Sequence, residues 1–146
     1  MKNMDKTFKI LIVMILITLL LFGLKTYIQD NNKIDYSKQE YIELNNENIP
    51  SIYKIIGNKE IIKTDTGIDS KGNYIELTYK NLTLDELTKY LGEFKEYNYV
   101  LISSDKESAV IVASSKEAGK IITISADYSE TQTKIKYSKG NGTLVK

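Results

Sequence analysis

The chain lacks four residue types that carry much of protein chemistry, because its 146 residues include no cysteine, histidine, tryptophan or arginine. Without cysteine and histidine there is no ordinary structural zinc site, cysteine nucleophile, serine–histidine relay, haem or iron–sulfur ligation, or disulfide. Without arginine there is no bidentate fork for phosphate or carboxylate groups. We therefore expect no metal and no cofactor, and the composition favours a binding role over catalysis.

An excess of charge of one sign is also missing, because 20 lysines nearly balance 19 acidic residues and give a formal net charge of +1. Residues 1–25 carry a net charge of +3, and residues 26–146 carry −2. A nearly neutral domain without arginine argues against nucleic acid, since that binding depends on neutralising several phosphates. We expect no nucleic acid partner.

A single long apolar run lies near the N-terminus, over residues 10–24, with a lysine on each side. As a helix it spans roughly 22 Å, and residues 8–28 extend it to the ~20 residues that a bilayer requires. Three lysines lie on its N-terminal side. The pattern predicts an uncleaved signal-anchor helix over 8–28 in the lipid bilayer, a cytoplasmic N-terminus over 1–7 and an extracytoplasmic C-terminal domain at the cell membrane.

A cleaved secretory signal peptide is the alternative for this segment. Such a peptide requires small residues before the scissile bond, and the first alanine of the chain is Ala109. Membrane anchorage is therefore the prediction, and a shortened, secreted product would contradict it.

The chain beyond the anchor divides by composition into three parts. Residues 29–48 are polar and rich in asparagine, which is typical of a flexible spacer. Residues 49–139 show mainly the alternation of strands and are expected to form the extracytoplasmic domain. Residues 140–146 include two glycines and are expected to be a flexible tail.

One amphipathic helix is predicted in this domain, from Thr83 to about Glu96. Thr83 and Glu86 match the T-x-x-E capping box, in which each side chain satisfies a backbone N–H at the other's position. Leucine and aromatic residues then recur at helical spacing: Leu84, Leu87, Tyr90, Leu91 and Phe94. Such a helix requires an apolar surface to cover.

Seven short strands are predicted around the helix, at 51–56, 60–63, 73–80, 97–103, 109–115, 120–128 and 132–138. Turn-forming residues at 64–72 predict a loop between the second and the third. The connections among the last four strands are short enough to require antiparallel neighbours. The fold class is therefore α+β, with one helix packed on a bent antiparallel sheet in the order β-β-β-α-β-β-β-β.

The triplet Asp65-Thr66-Gly67 resembles the D-T-G of retropepsin-like aspartic proteases, which build a two-aspartate site from two identical chains. The resemblance implies that Asp65 is a catalytic carboxylate that shares a proton with its mate and activates water. Asp-Thr-Gly is also ordinary turn chemistry, which accounts for the triplet as part of the predicted loop. A membrane-tethered, carboxylate-dependent hydrolase is therefore the alternative function.

Tyrosine is the overused aromatic residue, with eleven copies. Tyr74, Tyr97 and Tyr99 fall in or beside predicted strands, where exposed rings stack on sugars or form protein interfaces. The other interpretation is that most tyrosines pack with their hydroxyls at the rim of the core.

Lys134 and Lys136 belong to a C-terminal segment without acidic residues, which suits contact with an anionic wall polymer or lipid headgroups. We expect these lysines and the three tyrosines to include the binding site. The predicted function is that of an accessory protein contacting another envelope protein or a cell-wall component.

Overall fold

The computed structural model describes residues 14–19 and 34–145. Residues 14–19 are helical and belong to a first compact unit, Met1–Asp35, and a second unit comprises Tyr36–Lys146. The remainder of the predicted anchor over 8–28, and the predicted cytoplasmic segment 1–7, lie outside the described residues. In the part of the chain that the structure describes, no helix has both the length and the apolarity needed to cross a membrane.

The described part of the second unit contains eight strands and four short or medium helices. In chain order they are η1 Tyr36–Lys38, β1 Tyr41–Leu44, β2 Glu47–Pro50, α1 Ile52–Ile55, β3 Ile61–Asp69, β4 Gly72–Lys80, α2 Leu84–Glu93, η2 Phe94–Tyr97, β5 Val100–Ser104, β6 Ser108–Ser114, β7 Lys120–Tyr128 and β8 Gln132–Asn141. Strands β1 and β2 form a hairpin, and the other six form an antiparallel sheet in the order β3-β4-β8-β7-β6-β5. The α+β class and the antiparallel sheet are confirmed.

Helix α2 begins where the sequence predicts it. The Thr83 hydroxyl accepts a hydrogen bond from the Glu86 amide at 3.2 Å, and the Glu86 carboxylate accepts one from the Thr83 amide at 3.0 Å. This reciprocal cap satisfies two N–H groups that the first helical turn leaves free. Leu87, Tyr90 and Phe94 are buried as predicted, whereas Leu84 remains 45% exposed.

The four-strand meander β5-β6-β7-β8 and the alternation in β4 are confirmed. Register pairs such as Leu77 with Ile135 and Ile124 with Tyr137 place apolar side chains side by side on one face of the sheet. The core on this face contains Ile75, Leu77, Tyr79, Ile111, Ile122, Ile124, Ala126, Ile135 and Tyr137. The β1–β2 hairpin and helix α2 supply the apolar side chains that pack with this face.

The prediction of a strand over 51–56 is wrong, because Ile52–Ile55 form the helical turn α1. The Ser51 side chain accepts a hydrogen bond from the Lys54 amide at 3.2 Å and caps the turn. Ile52 is fully buried. The N-cap and the burial of one isoleucine therefore outweigh the strand preference of these β-branched residues.

The prediction of a flexible spacer over 29–48, with the domain starting at 49, is wrong for the described residues. Strands β1 and β2 form a hairpin there, and its inward side chains Ile42, Leu44 and Ile49 are buried. Asn45 and Asn46 have φ values of 46° and 66°, the left-handed conformation that a two-residue hairpin turn requires. The second compact unit begins at Tyr36.

Two other predicted irregular segments also belong to strands. Strand β3 runs through most of the predicted loop at 64–72, so the turn between β3 and β4 is limited to Ser70 and Lys71. Strand β8 continues into the predicted tail at 140–146, where Gly140 is buried. A Cβ on Gly140 would lie 1.9 Å from the Lys71 carbonyl oxygen, so glycine is required at this close approach.

A buried ion pair attaches the hairpin to the sheet. Lys139 Nζ on β8 lies 3.6 Å from the Glu47 carboxylate and donates to the Asn45 carbonyl at 2.7 Å. The same carboxylate accepts hydrogen bonds from the Ser115 hydroxyl and the Lys116 amide. Burial alone would raise the pKa of Glu47, but these hydrogen bonds and the Lys139 charge hold that pKa below its ordinary value of 4.5.

A second polar contact joins three elements inside the core. The Tyr90 hydroxyl on α2 donates to the Pro50 carbonyl at 2.6 Å and lies 2.7 Å from the Tyr137 hydroxyl on β8. Both tyrosines are fully buried, and burial raises the pKa of both hydroxyls well above the ordinary value. The pair therefore remains protonated and connects helix, hairpin and sheet.

Candidate functional site

An apolar groove lies between helix α2 and strand β5. Two adjacent cavities of about 280 and 350 Å³ share Leu91 and Leu101 in their walls. The first cavity is further lined by Leu84, Leu87, Ala109, Ala126 and Tyr128, and the second by Phe94, Tyr99, Val100 and Ile111. We call the two cavities together the α2–β5 groove, and its lining suits aliphatic or aromatic groups of a ligand.

The two ends of the α2–β5 groove carry different charges. Asp105, Lys106 and Glu107 line the first cavity and give that end a net charge of −1, whereas Lys95 is the charged residue in the wall of the second. The Asp105 carboxylate accepts hydrogen bonds from the Glu107 and Ser108 amides, each at 2.8 Å. These bonds lower the pKa of Asp105 and hold its charge in place at the β5–β6 turn.

Strand β5 forms the edge of the sheet beside this groove. Among the described residues only β6 pairs with it, so the main chain along its other side is open to a partner. Val100, Leu101 and Ile102 are 55%, 57% and 60% exposed, and the strand contains neither a charged residue nor proline. Strand β5 lacks the charges and proline that protect many edge strands, and its one irregularity is a shift in its register with β6 between Leu101 and Ser103. Its uncharged main chain is therefore a template for strand addition.

Tyr97 is the last residue of η2, and Tyr99 directly precedes β5. The Tyr99 ring packs edge-on against Phe94 at a centroid distance of 4.9 Å and lines the second cavity. Burial, with a smaller contribution from the Glu47 charge, raises the pKa of the Tyr99 hydroxyl. Tyr97 is 44% exposed. Both predicted binding residues therefore lie at the groove, one in its wall and one beside it.

Tyr74 and Lys136 lie elsewhere, on the sheet face opposite the core. Lys136 Nζ is 4.4 Å from the Tyr74 ring centroid and 2.6 Å from the Asp69 carboxylate, and the Tyr74 hydroxyl donates to Asp65 at 3.2 Å. The hydrogen bond from Lys136 lowers the pKa of Asp69 and raises that of Lys136. The Lys136 charge is thus paired within the cluster.

Lys134 is exposed on the same opposite face, where its register neighbour on β7 is Asp127. The five predicted binding residues are therefore divided between two faces of the sheet, with Tyr97 and Tyr99 at the groove and the other three on the far side. They do not form one site.

Asp65, the carboxylate of the alternative function, lies in the middle of β3 and not in a loop. It is exposed, its register partner is Glu76, and neither residue lines the α2–β5 groove. Over residues 14–19 and 34–145, no three acidic side chains are grouped so that they could hold a metal ion.

The aliphatic residues of the groove and the edge are not evident from the sequence pattern as a binding surface. The pattern predicts Leu84, Leu87 and Leu91 on the buried face of the helix, where Leu87 is confirmed, and Val100, Leu101 and Ile102 in an ordinary strand. A signal was available, because three consecutive apolar residues make both faces of a strand apolar. Such a strand is either buried on both faces or exposes an apolar surface.

Comparisons of the chain with protein-family models, with curated proteins and with solved structures found no match.

Proposed function

We propose that the protein is a single-span, membrane-anchored binding or accessory protein whose folded unit is extracytoplasmic and docks a protein partner at the α2–β5 groove. The observation that carries this proposal is the position of an open, uncharged edge strand directly beside an apolar groove. In strand addition, main-chain hydrogen bonds supply affinity and side-chain pockets supply specificity. Strand β5 and the α2–β5 groove offer both.

The chemistry of the groove favours a protein over a wall polymer. Aliphatic and aromatic side chains line most of it, and such a surface is matched by the apolar side chains of an extended peptide. A hydroxylated or polyanionic polymer would instead require mainly hydrogen-bonding groups or cations. The groove offers the hydroxyls of Thr88, Ser104 and Ser108 and the cations of Lys95 and Lys106, but these are outnumbered by its apolar and aromatic side chains. On the opposite face, Lys136 is already paired with Asp69.

The anchor and its orientation are supported by the apolar run over 8–28 and the lysines that precede it. Because the chain has no cysteine, single cysteines report topology without background. A membrane-impermeant maleimide should label Glu130→Cys in intact cells, and label Lys2→Cys only after permeabilisation. The reverse pattern, or a shortened soluble product, would overturn the proposed topology.

Docking at the groove is tested by placing a photo-crosslinking amino acid at Ile102 of the full-length protein in intact cells. The matched control is the same amino acid at Ile68 on β3, which is 79% exposed at the other sheet edge. We expect a covalent protein adduct, identified by mass spectrometry, from position 102 and none from position 68. Equal adducts from both positions, or none from 102, would contradict the proposal.

A further inference from the structure

We infer that the occupant of the β5 edge is a second copy of this chain, paired antiparallel through β5 about a two-fold axis near Leu101. This inference rests on the proposed docking function and names its partner. In this arrangement the six-stranded sheets of the two copies become one continuous sheet.

Strand β5 is self-complementary. A two-fold interface brings the same surface of both copies together, so any charge within the strand would face a like charge nearby. Strand β5 reads Val-Leu-Ile-Ser-Ser and contains no charge. The opposite edge, β3, carries Lys63, Asp65 and Asp69, which discourage pairing with another strand.

The two ends of the groove carry complementary charges. Antiparallel pairing places the Lys95 end of one copy next to the end of the other copy that contains Asp105, Lys106 and Glu107. The charged side chains that line the groove sum to +1 at the Lys95 end and −1 at the other, and Glu93 and Glu96 beside Lys95 do not line it. The two-fold axis repeats the favourable contact between these linings. A parallel pairing would bring like ends together, so the charges select the antiparallel direction.

Pairing through β5 would also cover an exposed apolar surface. With the axis near Leu101, the two Leu101 side chains face each other, and Val100 of one copy lies opposite the segment of the other copy at Ile102, where β5 has one extra residue relative to β6. These three residues are more than half exposed in a single copy. Aliphatic pairs directly across neighbouring strands stabilise a sheet, because their Cβ atoms lie about 4.5–5.5 Å apart.

The test uses disulfide formation between single cysteines in full-length protein in native membranes, since the natural chain contains no cysteine. Under mild oxidation Leu101→Cys should form a covalent dimer with twice the chain mass, which reductant reverses. The matched control is Thr66→Cys, an exposed position in the middle of the opposite edge strand. Random collisions in the membrane would crosslink both variants equally, and that result would overturn the inference.

Charge reversal tests the direction of pairing. Lys95→Glu should weaken dimerisation of purified full-length protein in detergent by about tenfold, because it replaces attraction by repulsion at both symmetric contacts. Adding Glu107→Lys should restore the dimer, because the end charges are opposite again. Loss of the dimer in the double variant, with the single variant unaffected, would contradict the antiparallel arrangement.

The outcomes separate this inference from the function on which it rests. A homodimer at position 101, with rescue by the double charge reversal, supports both. A specific adduct from Ile102 to a different, identified protein, without a homodimer, retains docking at the groove and overturns self-association. If neither position yields an adduct, both proposals fall.

Discussion

Two regions of the folded unit, the β1–β2 hairpin and strand β5, treat apolar side chains in opposite ways. At the hairpin end, Ile42, Leu44 and Ile49 are buried beside β4 and β8. At the β5 end, Val100, Leu101 and Ile102 stay exposed beside an open groove. Since exposure of apolar surface to water is unfavourable, the buried residues of the hairpin contribute to stability, and the exposed residues of β5 are the surface on which the proposed docking rests.

The polar groups also differ in burial: they are buried at the hairpin and exposed near β5. Glu47 and Lys139 are buried and satisfied by each other and by neighbouring groups at the hairpin end. Asp105 and Lys106 at the β5–β6 turn are exposed to solvent. We therefore expect substitutions at the hairpin end to change the free energy of unfolding, and substitutions at the β5 end to change association.

The largest effect should come from Lys139→Met, which leaves the Glu47 carboxylate buried without its cation. We expect the free energy of unfolding to fall by about 3–5 kcal/mol, measured by urea unfolding of the full-length protein in mild detergent with circular dichroism. The double variant Glu47→Leu/Lys139→Met should lose less, because no buried unpaired charge remains: Glu117, whose carboxylate also lies 3.2 Å from Lys139 Nζ, is 59% exposed. An equal or larger loss in the double variant would show that the ion pair is not what holds the hairpin.

The variants Ile42→Ala and Ile102→Ala compare the two regions directly, through the change that each causes in the free energy of unfolding. Ile42 is fully buried, so its truncation should lower the free energy of unfolding by about 2–5 kcal/mol through lost burial and the cavity left behind. Ile102 is 60% exposed, and its truncation should change that free energy by no more than about 0.5 kcal/mol. Similar losses for both variants would remove the distinction between the two ends.

A smaller effect is expected from Tyr90→Phe, which deprives the Pro50 carbonyl of its donor and the Tyr137 hydroxyl of its partner. The cost should be about 1–3 kcal/mol in the same urea experiment. Tyr79→Phe is the matched control, because within residues 34–145 the buried Tyr79 hydroxyl has no hydrogen-bond partner. That control should be neutral or stabilising, and a loss equal to that of Tyr90→Phe would contradict the assignment.

The smallest effect is a dependence of stability on pH at the hairpin end. The pKa of Glu47 is lower in the folded protein than its ordinary value of 4.5, so its contribution is complete above that value. The contribution is lost as pH falls through the folded pKa. Urea midpoints measured on both sides of pH 4.5 should therefore decline less steeply for Glu47→Gln than for the natural protein, and parallel curves would exclude Glu47 as a source.

The parts of the fold that were predictable have strong local signals. The Thr83–Glu86 capping box located helix α2, and alternation in 73–80 and 132–138 identified β4 and β8. In each case the side chains of a few neighbouring residues decide the local structure. In a capping box, the side chains of the first helical turn accept hydrogen bonds from backbone N–H groups of that same turn. In a strand, successive side chains alternate between the two faces, so every second residue lies on the same face.

The parts that were missed depend on contacts distant in sequence. Strands β1 and β2 contain only a few apolar residues, and their pairing becomes favourable because Ile42 and Leu44 find a core supplied by β4 and β8. Glu47 is tolerated inside because Lys139, far along the chain, meets it. Similarly, the segment at 64–69 reads as a turn but is held as strand by its ladder with β4.

The candidate site was only half predictable for the same reason. Tyr97 and Tyr99 lie at the α2–β5 groove, but Tyr74, Lys134 and Lys136 were grouped with them although the sheet separates the two sets. Sequence spacing defines which side of a strand a residue occupies, and says nothing of which strands become edges. Strand order determines that, and here it leaves β3 and β5 at the margins.

The absence of cysteine, histidine and arginine chemistry, the apolar run over 10–24, the capped helix and the antiparallel meander follow from composition and short-range periodicity, which are properties of the chain alone. The start of the domain, the pairing of buried polar groups and the exposure of β5 beside an apolar groove follow from the fold. These features depend on which segments, distant in sequence, pack together and exclude water. The hydrophobic effect depends on the apolar area that this packing removes from water, and the order of residues alone does not give that area.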